Sequence, residues 1–237
     1  MSCRSTVMAS APTLAPSSKQ TTNYARLCRL LVDGGTKALR HTFDKLHSPV
    51  NLFDVLKAGS SHHSTLQSLK KKRTSNDTQW VKLYPSPHSS ITSGDFDITL
   101  LMVLLRNVCG LAAPATGWDS LPPALDSSVE ANIARVKYYR NTVYGHASQA
   151  SVDDPTFNSL WRDISAALIA LGVDAAAIAK LKTETMDPDT EKHYSEAKER
   201  KEDNIQDQID KMKGIDEYFI ILLLLRTSLI EWKVFKR

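Results

Sequence analysis

The chain has 237 residues, 42% of them hydrophobic and 24% charged, with a formal net charge of +4. That composition provides for a packed core and for one ordinary domain with tails or two small ones. The mild positive charge is compatible with a nucleic-acid partner but does not establish one. Three widely separated cysteines, Cys3, Cys28 and Cys109, with no C-x-x-C spacing, exclude a zinc cluster or disulfide framework. Reduced cysteines point to a cytoplasmic or nuclear location, and neither a metal nor a cofactor is expected.

In chain order, residues 1–22 form a tail rich in Ser, Thr, Ala and Pro, without the continuous apolar region of a secretory signal. Disorder is the expected state; Arg4, Lys19 and the scarcity of acids leave a transit peptide as the alternative. Residues 23–183 carry helical periodicity. Tyr24, Leu27, Cys28, Leu31 and Val32 recur at helix spacing, with Asn23 as the expected cap and Gly34-Gly35 as an interruption. Asn51 is the expected cap of a short helix carrying Leu52, Phe53, Val55 and Leu56 and ending at Gly59, and a polar helix follows whose end is the basic run Lys70, Lys71, Lys72 and Arg73. Trp80 and Tyr84 lie in the next segment, before a Pro/Ser/His/Gly loop. Asp95 is the expected cap of an apolar helix through Leu105, apolar nearly all round and so central to a bundle.

Leu111 to Ser128 reads as a long loop with Trp118 and Leu121 as its expected anchors. Loops this long inside a compact domain are often functional. Ser128 caps the next helix, which Gly145 ends. Asp154 and Pro155 are the expected start of a further helix with Phe157, Leu160, Trp161, Ile164 and Leu168 on its apolar stripe. A short helix from Ala175 to Lys182 closes the body, and no alternating strand pattern is present. The fold class is therefore all-α, a helical bundle with a long inserted loop.

Residues 187–237 change character. Glu191 to Gly214 is dense in charge and reads as an exposed helix or brief coiled coil, a surface for signalling-protein partners. The run Tyr218–Leu225 is strongly apolar, but Arg226 interrupts it well short of the roughly 18 residues of a membrane span. It fits a helix docking on a partner domain, a membrane-surface anchor, or a terminus without a role.

The segment from Arg135 to His146 carries the chemistry. Arg140 holds a permanent charge in a planar fork suited to phosphate, and His146 titrates near neutrality. Polar Asn141 lies beside the arginine. Arg135, Lys137 and the Lys70–Arg73 run are candidate phosphate contacts on single-stranded RNA; the alternative for that run is a solvated helix end. Six residues rotate a helix by about 600°, so Arg140 and His146 lie roughly 120° apart and one straight helix does not aim both at one phosphate. Gly145 turning the chain, or a two-fold partner, would bring them together. The bland alternatives are an Arg140 paired with Asp153 or Asp154 and a His146 satisfied in a turn.

Several ordered motifs together resemble one family: Gln79–Pro85, Phe96–Gly110, Ala113–Pro123, Arg135–His146 and Asp153–Trp161. They are similar to the HEPN domain of the type found in the DAZ-interacting, RNA-binding RING ubiquitin ligase and its invertebrate relatives. The likeness covers about residues 24–175. It implies an up-down HEPN-like bundle, often a homodimer, acting as an RNA-associated or signalling interaction module. No RING pattern accompanies it, so no ligase site is expected in this chain. The alternative it implies is a metal-independent endoribonuclease in which Arg140 stabilises phosphate charge, Asn141 orients and His146 acts as acid–base.

Overall fold

The computed structural model describes residues 18–72, 75, 77–87, 90–145 and 150–196, and every regular element among them is helical. The first helix, α1 (Lys19–Arg29), begins four residues inside the segment that composition assigns to the tail. Its cap is Ser18, not Asn23. The Ser18 hydroxyl accepts from the Thr21 amide at 3.2 Å, and the Thr21 hydroxyl accepts from the Ser18 amide at 2.9 Å. This reciprocal box satisfies two amides that otherwise lack partners at a helix start. Asn23 is instead buried inside the helix, its Nδ2 donating to the Val152 carbonyl at 3.2 Å and to Asp154 Oδ1 at 2.8 Å.

Gly34-Gly35 does not break the helix. The chain passes through a π-helical turn, Leu30–Gly35, directly into α2 (Thr36–Leu46). The reason is packing. A Cβ on Gly34 would stand 2.9 Å from Leu168 Cδ1, and one on Gly35 would stand 3.0 Å from Ile98 Cδ1. The two glycines mark where neighbouring helices come closest to this long rod.

A 3-10 turn, Pro49–Asn51, leads into α3 (Leu52–Leu56), followed by α4 (Ser61–Lys71) and α5 (Asp77–Leu83). These form an annex tied to the main core through fully buried Leu52, Leu56 and Leu83 and the nearly buried Leu66. Helix α6 (Ile98–Asn107) packs on α2 and buries Ile98 and Leu100 through Leu105. Its cap is Asp97, whose carboxylate accepts from the Leu100 amide at 2.9 Å; Asp95 lies in the preceding 3-10 turn. Burial on all sides makes α6 the central helix, as its unbroken apolar run requires.

Helices α7 (Val129–Gly145) and α8 (Asp154–Ala170) pack against each other and against α1. Asp153, rather than Asp154, caps α8, accepting from the Thr156 amide at 2.8 Å. Asp154 is thereby released to meet Lys19 and Asn23. Helix α9 (Ala175–Thr183) follows a sharp turn at Gly172, whose φ is +94°.

Helix α10 (Pro188–Glu196) lies along α1. Thr22 Oγ1 donates to Glu191 Oε2 at 3.3 Å, and the Tyr194 hydroxyl donates to Asp33 at 2.7 Å. The charged segment thus starts as a helix docked on the bundle. The remainder of the expected coiled coil, the Tyr218–Leu225 run and residues 1–17 lie outside the described residues. Among the described residues no helix is long and apolar enough to cross a membrane.

Candidate functional site

Helix α7 carries Arg135, Lys137, Arg140 and Asn141, and the long loop before it partners the first two. Arg135 is buried. Its Nη1 donates to Asn132 Oδ1 at 2.8 Å and its Nη2 to the Pro123 carbonyl at 2.5 Å. Asn132 in turn donates to the carbonyls of Ser127 and Ser128 at 3.2 and 2.9 Å. Lys137 donates to Asp119 in the same loop, and Arg106 of α6 approaches that carboxylate at 3.7 Å while lying 5.7 Å from the Trp118 ring.

Arg135 and Lys137, expected as phosphate contacts, therefore both hold loop 111–128 onto the bundle. Trp118 packs against the core as expected, whereas Leu121 stays exposed, so polar anchors do the pinning expected of it. Burial opposes the charged form of Asp119, but the Lys137 hydrogen bond and the Lys137 and Arg106 charges hold its carboxyl below the usual range. Burial lowers the Lys137 ammonium, an effect the Asp119 hydrogen bond opposes and the Arg106 and Arg140 charges reinforce.

Arg140 sits one turn further along and is only 4% exposed. Its guanidinium lies 5.7 Å from the ring of Tyr144, the next residue on the same helix face. Burial lowers the Arg140 pKa, while Tyr144 and the Asp97 carboxylate raise it. Neither Arg140 Nε nor the Tyr144 hydroxyl has a hydrogen-bond partner among the described residues, and both atoms are buried. Burial pushes the Tyr144 phenol up to about 12, so it keeps its proton at neutral pH. Two neighbouring donors thus lie desolvated and unanswered, a costly arrangement that calls for an acceptor.

Asp153 and Asp154 do not supply it. Asp153 caps α8, and Asp154 is engaged by Lys19 and Asn23. Asp97 is shared between its cap and Lys82 Nζ of α5 at 3.4 Å. Asn141 is exposed and does not share the buried face of Arg140. His146 lies outside the described residues, directly beyond the end of α7 at Gly145.

The basic run occupies the end of α4. Lys71 and Lys72 are exposed; Lys70 pairs with Asp77 at 3.5 Å and lies 4.6 Å from the centre of the Trp80 ring. Arg73 lies outside the described residues.

Two of the surface concavities among the described residues are lined in part by the π turn, and neither is lined by Arg140. One, of about 310 Å³, lies between the π turn and α9 and includes Arg29, Asp33, Lys37, Lys180 and Glu184. The other, of about 410 Å³, lies beside Asp97 and includes Thr36, Arg40 and Asp95. Among the described residues no group of three His, Cys, Asp or Glu side chains is placed to hold a metal ion.

Sequence reasoning missed Tyr144, Asp97 and Asp119. The four-residue step from Arg140 was a signal for Tyr144. Asp97 and Asp119 come from distant segments and gave none.

The profile of the family described as DZIP3/hRUL138-like HEPN matches residues 49–194 of this chain. The E3 ubiquitin-protein ligase DZIP3 of Homo sapiens is 29% identical over 162 residues, covering 67% of this chain and 13% of that protein. Its namesake in Mus musculus is 28% identical over 162 residues, with the same coverage of 67% and 13%. The chain therefore matches only 13% of the length of these curated relatives. No solved structure matches.

Proposed function

The chain belongs to the DZIP3/hRUL138-like HEPN family, and from that premise we propose that it is an RNA-associated interaction module in which Arg140 receives a backbone phosphate. One observation carries this reading: Arg140 Nε and the Tyr144 hydroxyl are adjacent buried donors with no acceptor among the described residues. A phosphate oxygen admitted by local opening of this face would accept from both, and a charge-assisted bond to a desolvated guanidinium is stronger than a neutral one. Lys137 and Arg106 close by add positive potential, although their direct bonds go to Asp119.

The functional unit in this reading is a homodimer. Arg140 and His146 are six positions apart in the sequence, a spacing that a straight helix would not bring to one phosphate, so a two-fold partner would supply the complementary group. A second reading, metal-independent RNA cleavage by Arg140, Asn141 and His146, is the one the family resemblance offers; Asn141 is exposed to an RNA strand, on a different face of α7 from buried Arg140.

Purified protein incubated with labelled single-stranded RNA in EDTA separates the two. A retarded band without shortened RNA supports the binding module. Shortened RNA with cyclic phosphate ends, lost in His146→Ala, supports the nuclease. Absence of both, from protein with a helical circular dichroism spectrum, overturns the RNA reading.

A further inference from the structure

We propose that the corner between α4 and α5 is a stacking platform for the bases of single-stranded RNA. Trp80 is the stacking surface, and Lys70, Lys71 and Lys72 take the adjoining phosphates. The inference rests on the RNA reading above and names a contact region separate from Arg140.

Three aromatic rings form the corner. Trp80 and Tyr84, one turn apart on α5, have ring centroids 4.5 Å apart and an interplanar angle of 37°. His63 of α4 meets Tyr84 edge-on, at 5.0 Å and 87°. Its Nδ1 lies 2.7 Å from the Tyr84 hydroxyl, which fixes the two helices against each other. Trp80 is packed against the core yet only partly buried, so the indole is held in place and still reaches the surface. A rigid, partly exposed aromatic loses little freedom when a flat ligand covers it.

Charge adjoins this surface on one side. Lys70 lies over the Trp80 ring at 4.6 Å, and its other partner is Asp77 at 3.5 Å, a carboxylate whose side chain is 95% exposed. Both contacts are of the weak, solvent-screened kind. Lys71 and Lys72 are exposed and take part in no ion pair among the described residues. A base sliding onto the indole displaces the Lys70 ammonium, which turns to the phosphate of the same strand. The exchange replaces an intramolecular cation–π contact with base stacking and a charge-assisted bond. A polyanion whose units each carry a π-face is the ligand that matches a lysine lying over an aromatic plane and followed along the chain by two exposed lysines. Lys82 of the same helix donates to Asp97, the carboxylate whose charge acts on Arg140.

The test uses fluorescence anisotropy with labelled single-stranded RNA and with an RNA duplex of equal length. The proteins are the parent, Trp80→Ala, Trp80→Phe and the double variant Lys71→Ala/Lys72→Ala. The expected result is about tenfold weaker single-strand binding by Trp80→Ala, with duplex binding unchanged and most of the loss recovered in Trp80→Phe. The double lysine variant should lower the slope of log affinity against log salt by about 1.4.

Parental single-strand affinity in Trp80→Ala would overturn the platform and leave the RNA reading standing. Equal loss on single strand and duplex would also overturn it, because a ring acting only through the fold affects both. A parent that binds neither RNA overturns both proposals.

Discussion

Replacing Arg140 with Met separates a functional cation from a structural one. Arg140 is 4% exposed, and its Nε has no acceptor among the described residues. A buried cation carries a desolvation penalty of several kcal/mol even after relaxation, and the nearby Asp97 carboxylate, already shared with its cap and Lys82, offsets only part of it. Methionine removes that penalty while filling much of the same volume. Against it stand the lost contact with the Tyr144 ring, about 1 kcal/mol, and imperfect packing of similar size. The balance is a gain of about 1–2 kcal/mol, or roughly 3–6 °C in Tm for a domain of this size. Thermal unfolding followed by circular dichroism measures it. A loss of about 3 kcal/mol or more would refute the reasoning, because it is the signature of a guanidinium that already has its partner.

Two loop anchors and the turn at Gly172 give three further expectations with different signatures. Arg135→Ala removes the bonds to Asn132 and Pro123 and should cost about 2–4 kcal/mol; limited proteolysis should then cut within residues 111–128 of the variant and spare the parent. Asp119→Asn tests a pH dependence. The folded Asp119 pKa is depressed, so its contribution is present above the unfolded value near 3.9 and disappears as pH falls through the folded value. The parent should therefore exceed Asp119→Asn in stability at neutral pH, by under about 1 kcal/mol because the carboxylate is largely exposed, and the two should converge in acid. Gly172→Ala should cost about 1–3 kcal/mol in denaturant unfolding, since Gly172 has a φ of +94° and a Cβ there would stand 2.8 Å from His41.

Much of the bundle was legible because periodicity reports burial directly. The apolar run from Phe96 to Leu105 placed the central helix, and the stripe from Phe157 to Leu168 placed α8. Helix starts were less legible, because neighbouring polar residues compete for the cap. Ser18 prevails over Asn23, and Asp97 over Asp95, through hydrogen bonds that tertiary packing decides. The Gly34-Gly35 pair reads as a break in one dimension; only the approach of Leu168 and Ile98 explains a helix continuing through it.

The candidate site was legible as residue types and not as roles. Arg135 and Lys137 carry the charge a phosphate needs, yet Pro123 and Asp119, from a loop whose expected anchors were Trp118 and Leu121, engage them. Arg140 differs from them in the structure alone, where it is buried beside Tyr144 with its Nε unanswered among the described residues.

The central claim is that Arg140 answers a phosphate, and the salt dependence of RNA binding tests it most directly. Single-stranded RNA should be titrated against the parent and Arg140→Met across a range of salt concentrations. One lost phosphate contact should lower the slope of log affinity against log salt by about 0.7. Affinity should fall by roughly 10–150-fold, the value of a hydrogen bond to a charged group. Equal slopes and equal affinities in the two proteins would contradict the account.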